Sequence, residues 1–205
     1  MKQLINPAVI VSVLVGIGLG PASATTMVNG SGLGRPATVI DFSGLDGSSL
    51  ITAPISGVTF TGFYSTNQFP SGRFSPSEPP AAVNFAPPSG APNPTVTMVF
   101  ATPQSDVAFF FVTSGGVQET ITSSLSGIAV EQISGVSNSQ TGGFYGFTGS
   151  RFDTITITSS DQNPAVLVDN LQIGDLSTSV PEPASGALLL AGLAGVAILN
   201  GRRRG

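Results

Sequence analysis

The chain contains no cysteine, no histidine and no tryptophan, and its single lysine is Lys2. Without cysteine there is no disulfide and no thiol nucleophile, so an exported form must rest on its packed core or on a bound ion. Without histidine there is no Ser–His or Cys–His couple, and a zinc site loses both of its usual ligand types. Charge is scarce as well, at 9% of residues. Between Thr25 and Val180 three arginines (Arg35, Arg73, Arg151) face ten carboxylates, a net −7. A basic stripe cannot be assembled from that set, so nucleic acid is excluded as a partner.

What the chain has in abundance is glycine, proline and short β-type runs. There are 26 glycines and 16 prolines in 205 residues. Residues 39–42 read as a first strand, followed by a turn at 45–48 signalled by Asp46-Gly47. Residues 57–63 and 95–100 alternate in facing, and 107–112 is apolar on both faces, as a strand covered on both sides requires. Further strands are expected at 118–123, 127–133, 144–148, 154–158 and 165–173. Residues 25–36 are Gly/Ser-rich and read as a flexible leader. Residues 64–94 hold eight prolines and read as a long functional loop or a broken sheet edge. No amphipathic helix interrupts the series. The expected fold class is all-β, an antiparallel β-sandwich or jelly roll over residues 37–176.

The two ends are of another kind and account for most of the mean hydropathy of +0.33. Residues 1–24 fit a secretory signal peptide: Lys2, an apolar stretch at 8–19, and Ala22-Ser23-Ala24 as a small-x-small cleavage site that leaves Thr25 first. At the other end, Pro181-Glu182-Pro183 stops any regular element. An apolar helix is expected over 184–200, whose apolar part at 184–199 is ~24 Å long at ~1.5 Å per residue. That is slightly under the ~30 Å of a bilayer core, and flanking arginines can snorkel to make up the difference. Arg202, Arg203 and Arg204, just before Gly205, mark the cytoplasmic side.

These three features in order, Pro-Glu-Pro, apolar span and terminal arginines over 177–205, resemble a PEP-CTERM sorting signal, a tail also labelled the ice-binding protein C-terminal domain. The resemblance implies signal peptidase and an exosortase as processing partners. It also implies transient anchoring in the inner membrane, then delivery to the cell surface, outer membrane or extracellular matrix of an exopolysaccharide-producing bacterium. The intervening motifs Asp41-Phe42, Gly57-Val58-Thr59-Phe60, Gly143-Phe144-Tyr145-Gly146-Phe147 and Val168-Asp169-Asn170-Leu171 resemble the β-sandwich common in proteins carrying such tails. They are also similar to jelly-roll carbohydrate-binding modules. In such folds the first and last strands lie side by side, which would bring Asp41 and Asp46 near Asp169.

Strict alternation places Asp169 in one row with Leu167, Leu171 and Ile173, and a carboxylate in an apolar row needs a partner. Three partners are open: Ca²⁺ shared with Asp41 and Asp46, the guanidinium of Arg151, or backbone donors. No cofactor beyond that ion is implied. For ligand binding the candidates are Tyr64 and Tyr145, the rings that carry a hydroxyl, with Phe63, Phe69 and Phe74 around the long loop and Phe144 and Phe147 in the Gly-rich hairpin. A glycosidase needs only two carboxylates, and Glu119 and Glu131 are available, but each sits in a Ser/Thr/Gly-rich segment that reads as a solvated face. The expected function is therefore non-enzymatic: a structural or glycan-binding exported protein, with exopolysaccharide as the partner. The alternatives are ice binding, suggested only by the tail's label because the single Thr154-x-Thr156-x-Thr158 strand does not make a repeated flat ladder, and a carboxylate-dependent glycoside hydrolase.

Overall fold

The computed structural model describes residues 25–69, 74, 77–88, 90–114, 118–136, 142–160 and 165–174. The segments expected as signal peptide (1–24), apolar span (184–200) and sorting residues lie outside them. Among the described residues no helix is long and apolar enough to cross a membrane.

The described chain is all-β. It forms β1 (Thr25–Gly30), β2 (Thr38–Ile40), β3 (Val58–Thr61), β4 (Tyr64–Thr66), β5 (Ala81–Val83), β6 (Thr95–Thr113), β7 (Glu119–Leu125), β8 (Ile128–Val136), β9 (Gly143–Ser159) and β10 (Val166–Ile173). Every pairing is antiparallel.

Two long strands organise the rest. The first part of β6 pairs with β3 and with the last part of β9; its second part pairs with β10 and with the first part of β9. The β6–β9 register breaks between Val99 and Gln104 and again before Asp106. Across that break the core-facing parity of β6 changes, from Val96, Met98 and Phe100 to Val107, Phe109 and Phe111. On β9 the corresponding corner falls at Gly149, whose φ of 85° is left-handed and whose N–H donates to Asp106 Oδ1 at 3.3 Å. Strands that switch layers at such irregularities make the corners of a sandwich. One layer is β3-β6-β9-β7-β8. The other is β4-β5-β10-β6-β9-β1, with β2 also on β10.

The main core lies between the layers, and phenylalanine is its commonest residue, followed by isoleucine and valine. Phe109 is edge-on to Phe111, Phe111 to Tyr145, Phe147 to Phe152 and Phe152 to Phe100, at centroid separations of 5.8–6.0 Å. A second, smaller core covers the outer face of the β10 layer: Phe69, Val83, Phe110, Val112, Phe144 and Leu167. Residues 107–112 are therefore covered on both sides, as their unbroken apolar run requires.

Several expectations change. The separate strands expected at 95–100 and 107–112 are one strand, as are those at 144–148 and 154–158, because the corners are continuous chain. The leader expected at 25–36 is in part a strand: β1 lies along β9, pairing Thr25 with Thr148 and Met27 with Gly146. Its short polar sequence hid this, because an edge strand needs only backbone partners on one side. The Pro-rich stretch 64–94 contributes β5, which pairs with β10, and β4 outside it, and is otherwise held by side chains. Asn84 Oδ1 accepts from Val166 N–H at 3.0 Å, Asn84 Nδ2 donates to Asn93 O at 2.8 Å, and Asn93 Nδ2 donates to Gly62 O at 2.8 Å.

Candidate functional site

The expected adjacency of the first and last core strands is present. β2 pairs with β10, Leu171 opposite Ile40 and Ile173 opposite Thr38. The expected facing of Asp169 is not. Asp169 pairs with Phe110 but Gln172 pairs with Ala108, so β10 carries one extra residue between these pairs. The bulge sits at Asn170, which adopts φ 45°. Before it Val166 and Val168 face the main core; after it Leu171 and Ile173 do. Asp169 therefore does not interrupt the row of Leu171 and Ile173. It lies on the opposite face, beside Leu167 and Phe110 of the smaller core.

There it is 1% exposed and held by three uncharged donors. Ser77 Oγ donates to Oδ2 at 2.7 Å, Glu78 N–H to Oδ2 at 3.2 Å, and Asn170 N–H to Oδ1 at 2.7 Å. Burial pushes its carboxyl up to about 6, against the pull of these donors and with a small further push from the charge of Asp41. Of the three partners open from sequence, backbone and hydroxyl donors are the ones seen. Arg151 stands exposed on β9.

Asp41 and Asp46 have donors of their own. Asp41 accepts from Ser43 N–H at 3.1 Å and Ser43 Oγ at 2.8 Å, which hold its carboxyl below the usual range. Asp46 accepts from the hydroxyl of Ser49, from Ser48 N–H at 3.0 Å and from Ser65 Oγ at 2.9 Å. Those bonds, led by Ser49, lower it to about 2. Among the described residues no group of three or more carboxylates is placed to hold a metal ion.

Phe74, tied to Ser77, stands at one wall of a cleft of about 480 Å³ on the outer face of the β10 layer. Val83, Val112 and Leu167 make its floor. Phe69, Phe74 and Phe85 supply rings, with Phe69 and Phe74 5.8 Å apart and tilted by 50°. Thr66, Gln68, Thr113 and Ser114 add hydroxyl and amide groups. Among the described residues that line it none is charged. Asp169 reaches this wall through Ser77, whose N–H donates to Phe74 O at 2.7 Å.

Of the expected ligand residues, Tyr64 is half-buried on β4 and packs against the smaller core next to the cleft. Tyr145 is 4% exposed and its ring is committed to the main core, edge-on to Phe111. Phe63 and Phe147 are likewise core, and Phe144 belongs to the smaller core. Phe69 and Phe74 do line the cleft. Phe85, Gln68 and Thr113 are missed by sequence reasoning. The available signal was Phe85 itself, an aromatic in a stretch otherwise of Pro, Ser, Asn and Ala.

Glu119 is not on a solvated face: it is 1% exposed, on the same side of β7 as Ile121 and Ser123. Glu131 pairs with Ser123, four residues along the strand from Glu119. That is ~14 Å between backbones at ~3.4 Å per residue.

The tail supplies the other part of the function. Residues 179–204 match the PEP-CTERM protein-sorting motif. The match spans Pro181-Glu182-Pro183, the apolar run and Arg202, Arg203 and Arg204. No curated protein matches the chain. Among solved structures it is similar to a family 29 carbohydrate-binding module, at 15% identity over 78% of this chain and 96% of that one, TM-score 0.38. It is also similar to a CBM29-2 mutant of the same carbohydrate-binding family complexed with mannohexaose, at 16% identity over 73% of this chain and 99% of that one, TM-score 0.39. At that level of likeness neither ligand nor site passes from those modules to this chain.

Proposed function

We propose that this is an exported, exosortase-sorted protein whose sandwich binds neutral glycan in the aromatic cleft without catalysing a reaction. The signal peptide at 1–24 starts export. The PEP-CTERM tail holds the chain in the inner membrane until processing, and the sandwich then acts at the cell surface or in the matrix, on exopolysaccharide.

The observation that carries this reading is the composition of the cleft. Apolar rings give a pyranose a surface for its C–H faces, and hydroxyl and amide groups beside them orient its own hydroxyls. The described lining residues, all uncharged, suit a neutral sugar, because a uronate or sulfate would find no counter-charge among them. Nothing in the arrangement calls for a metal. Tyr64 supports the cleft from β4, beside its wall.

The test is binding of the full-length chain, in mild detergent, to a glycan array and to exopolysaccharide. Removing one ring by Phe85→Ala is expected to weaken binding ~10-fold, equivalent to about 1.4 kcal/mol. Unchanged affinity in both Phe85→Ala and Phe74→Ala, with melting temperatures intact, would place the ligand elsewhere.

A further inference from the structure

The outer face of the β3-β6-β9-β7 layer is a second surface, on the opposite side of the molecule's main core from the cleft. Burial alternates strictly here. Val58 and Phe60, Val96 and Met98, Ile155 and Ile157, and Ile121 and Ser123 point inward. Their neighbours point outward, and the strand registers align them in rows. One row runs Thr61, Thr97, Thr156, Thr122 across four strands. The next runs Thr59, Val99, Thr154, Ser124. A third runs Thr95, Thr158, Thr120. Nine of these eleven positions are threonine, and none is charged or aromatic.

Only part of this was visible in the chain. Thr154, Thr156 and Thr158 form a Thr-x-Thr run on one strand, and one strand is not a lattice. Pairing with β6 and β7 turns the run into a two-dimensional array. Rows repeat at about 4.7–4.9 Å between strands and ~6.8 Å along them. Threonine is β-branched and stiff at χ1, so each position presents a methyl and a hydroxyl in a preset orientation. Gln132 extends the first row and donates to Thr122 Oγ1 at 3.2 Å.

We infer that this face binds ice. A tetrahedral water network with O···O of about 2.75 Å puts second neighbours ~4.5 Å apart, close to the inter-strand repeat. Methyls ordering the adjoining water, with hydroxyls bonded into it, fit a neutral periodic lattice. Other occupants fit less well. A charged polymer meets no counter-charge, a sugar ring meets no aromatic platform, and an apolar protein partner meets only Val99, at 40% exposure. Sheet twist of roughly −20 to −25° per strand confines the match to the central strands β6, β9 and β7. The expected activity is accordingly modest.

The test is nanolitre osmometry and ice-crystal shape with the full-length chain in mild detergent, against a detergent-only blank. The wild type is expected to facet crystals and to open a hysteresis gap that grows with concentration. Thr156→Lys at the centre of the array is expected to abolish both. Val39→Lys, on exposed β2 of the other layer, is expected to keep both. Far-UV circular dichroism checks that each variant is folded, and Thr97→Lys serves as a second disruption of the array. Wild-type crystals as round as the blank's overturn the inference. So does faceting that survives in both lysine variants of the array. Loss of polysaccharide binding in folded Thr156→Lys, with no wild-type faceting, reassigns the face to glycan.

Discussion

Asp169 makes stability fall as pH rises through the weakly acidic range, the reverse of what salt-bridged carboxylates do. Its carboxyl is raised from 3.8 to about 6 in the folded chain because burial disfavours the anion. Between those values the native state keeps a proton that the unfolded state has released, so protonation favours folding. The contribution is fully present below about pH 4 and is lost as pH rises through about 6. Two pKa units at ~1.36 kcal/mol each give a loss of about 3 kcal/mol. Asp41 and Asp46 do not mask this. Their carboxyls are lowered, so their stabilising contributions are complete above about pH 4 and decline only as pH falls further. The assay is urea unfolding followed by far-UV circular dichroism from about pH 4 to about pH 7. Asp169→Asn should flatten the slope in that window. Its absolute stability is a poorer readout, because the amide nitrogen would oppose either Asn170 N–H or the Ser77 and Glu78 donors, at a cost of about 1–3 kcal/mol. Asp41→Asn should shrink the slope slightly. A wild type whose stability is flat or rises across the window would refute the reasoning, as would a slope that persists in Asp169→Asn.

Two other predictions follow from the same geometry. With the carboxylates of Asp41, Asp46 and Asp169 each given to separate local donors, EDTA should leave the melting temperature unchanged; a drop reversed by calcium would restore the metal reading. Gly146→Ala should destabilise by at least ~3 kcal/mol or prevent folding, because an added Cβ would lie 1.9 Å from Val107 O and 2.8 Å from Ala108 Cα, both backbone of the neighbouring strand. A normal melting temperature for that variant would mean that β6 and β9 approach less closely than the structure has it.

Asp169 links the packing to the proposed function. It holds Ser77 and Glu78, Ser77 holds Phe74, and Phe74 lines the cleft. A buried carboxylate that costs stability at neutral pH is accounted for if it fixes the wall of a binding site.

The adjacency of first and last core strands was implied by the resemblance to jelly-roll modules; the sequence by itself determined the all-β class, the doubly covered run at 107–112 and the sorting tail. Each depends on local chemistry: side-chain periodicity, unbroken apolarity, or a short linear motif. It also exposed Asp169 as the residue in the core strands that needed explaining. Only the tertiary structure decided which way that residue points, because one bulged residue at Asn170 reverses facing along the strand and leaves no mark in an alternating pattern. The same holds for Tyr145, whose hydroxyl suggested a ligand and whose ring is core. It holds for β1, whose polar sequence became a strand through β9's free edge. The cleft and the threonine array are likewise products of register. Phe69, Phe74 and Phe85 converge from a proline-rich stretch through buried Ser77 and Asn84. Threonines from four strands align because antiparallel hydrogen bonding sets who stands beside whom, and that pairing is written in no one segment of the chain.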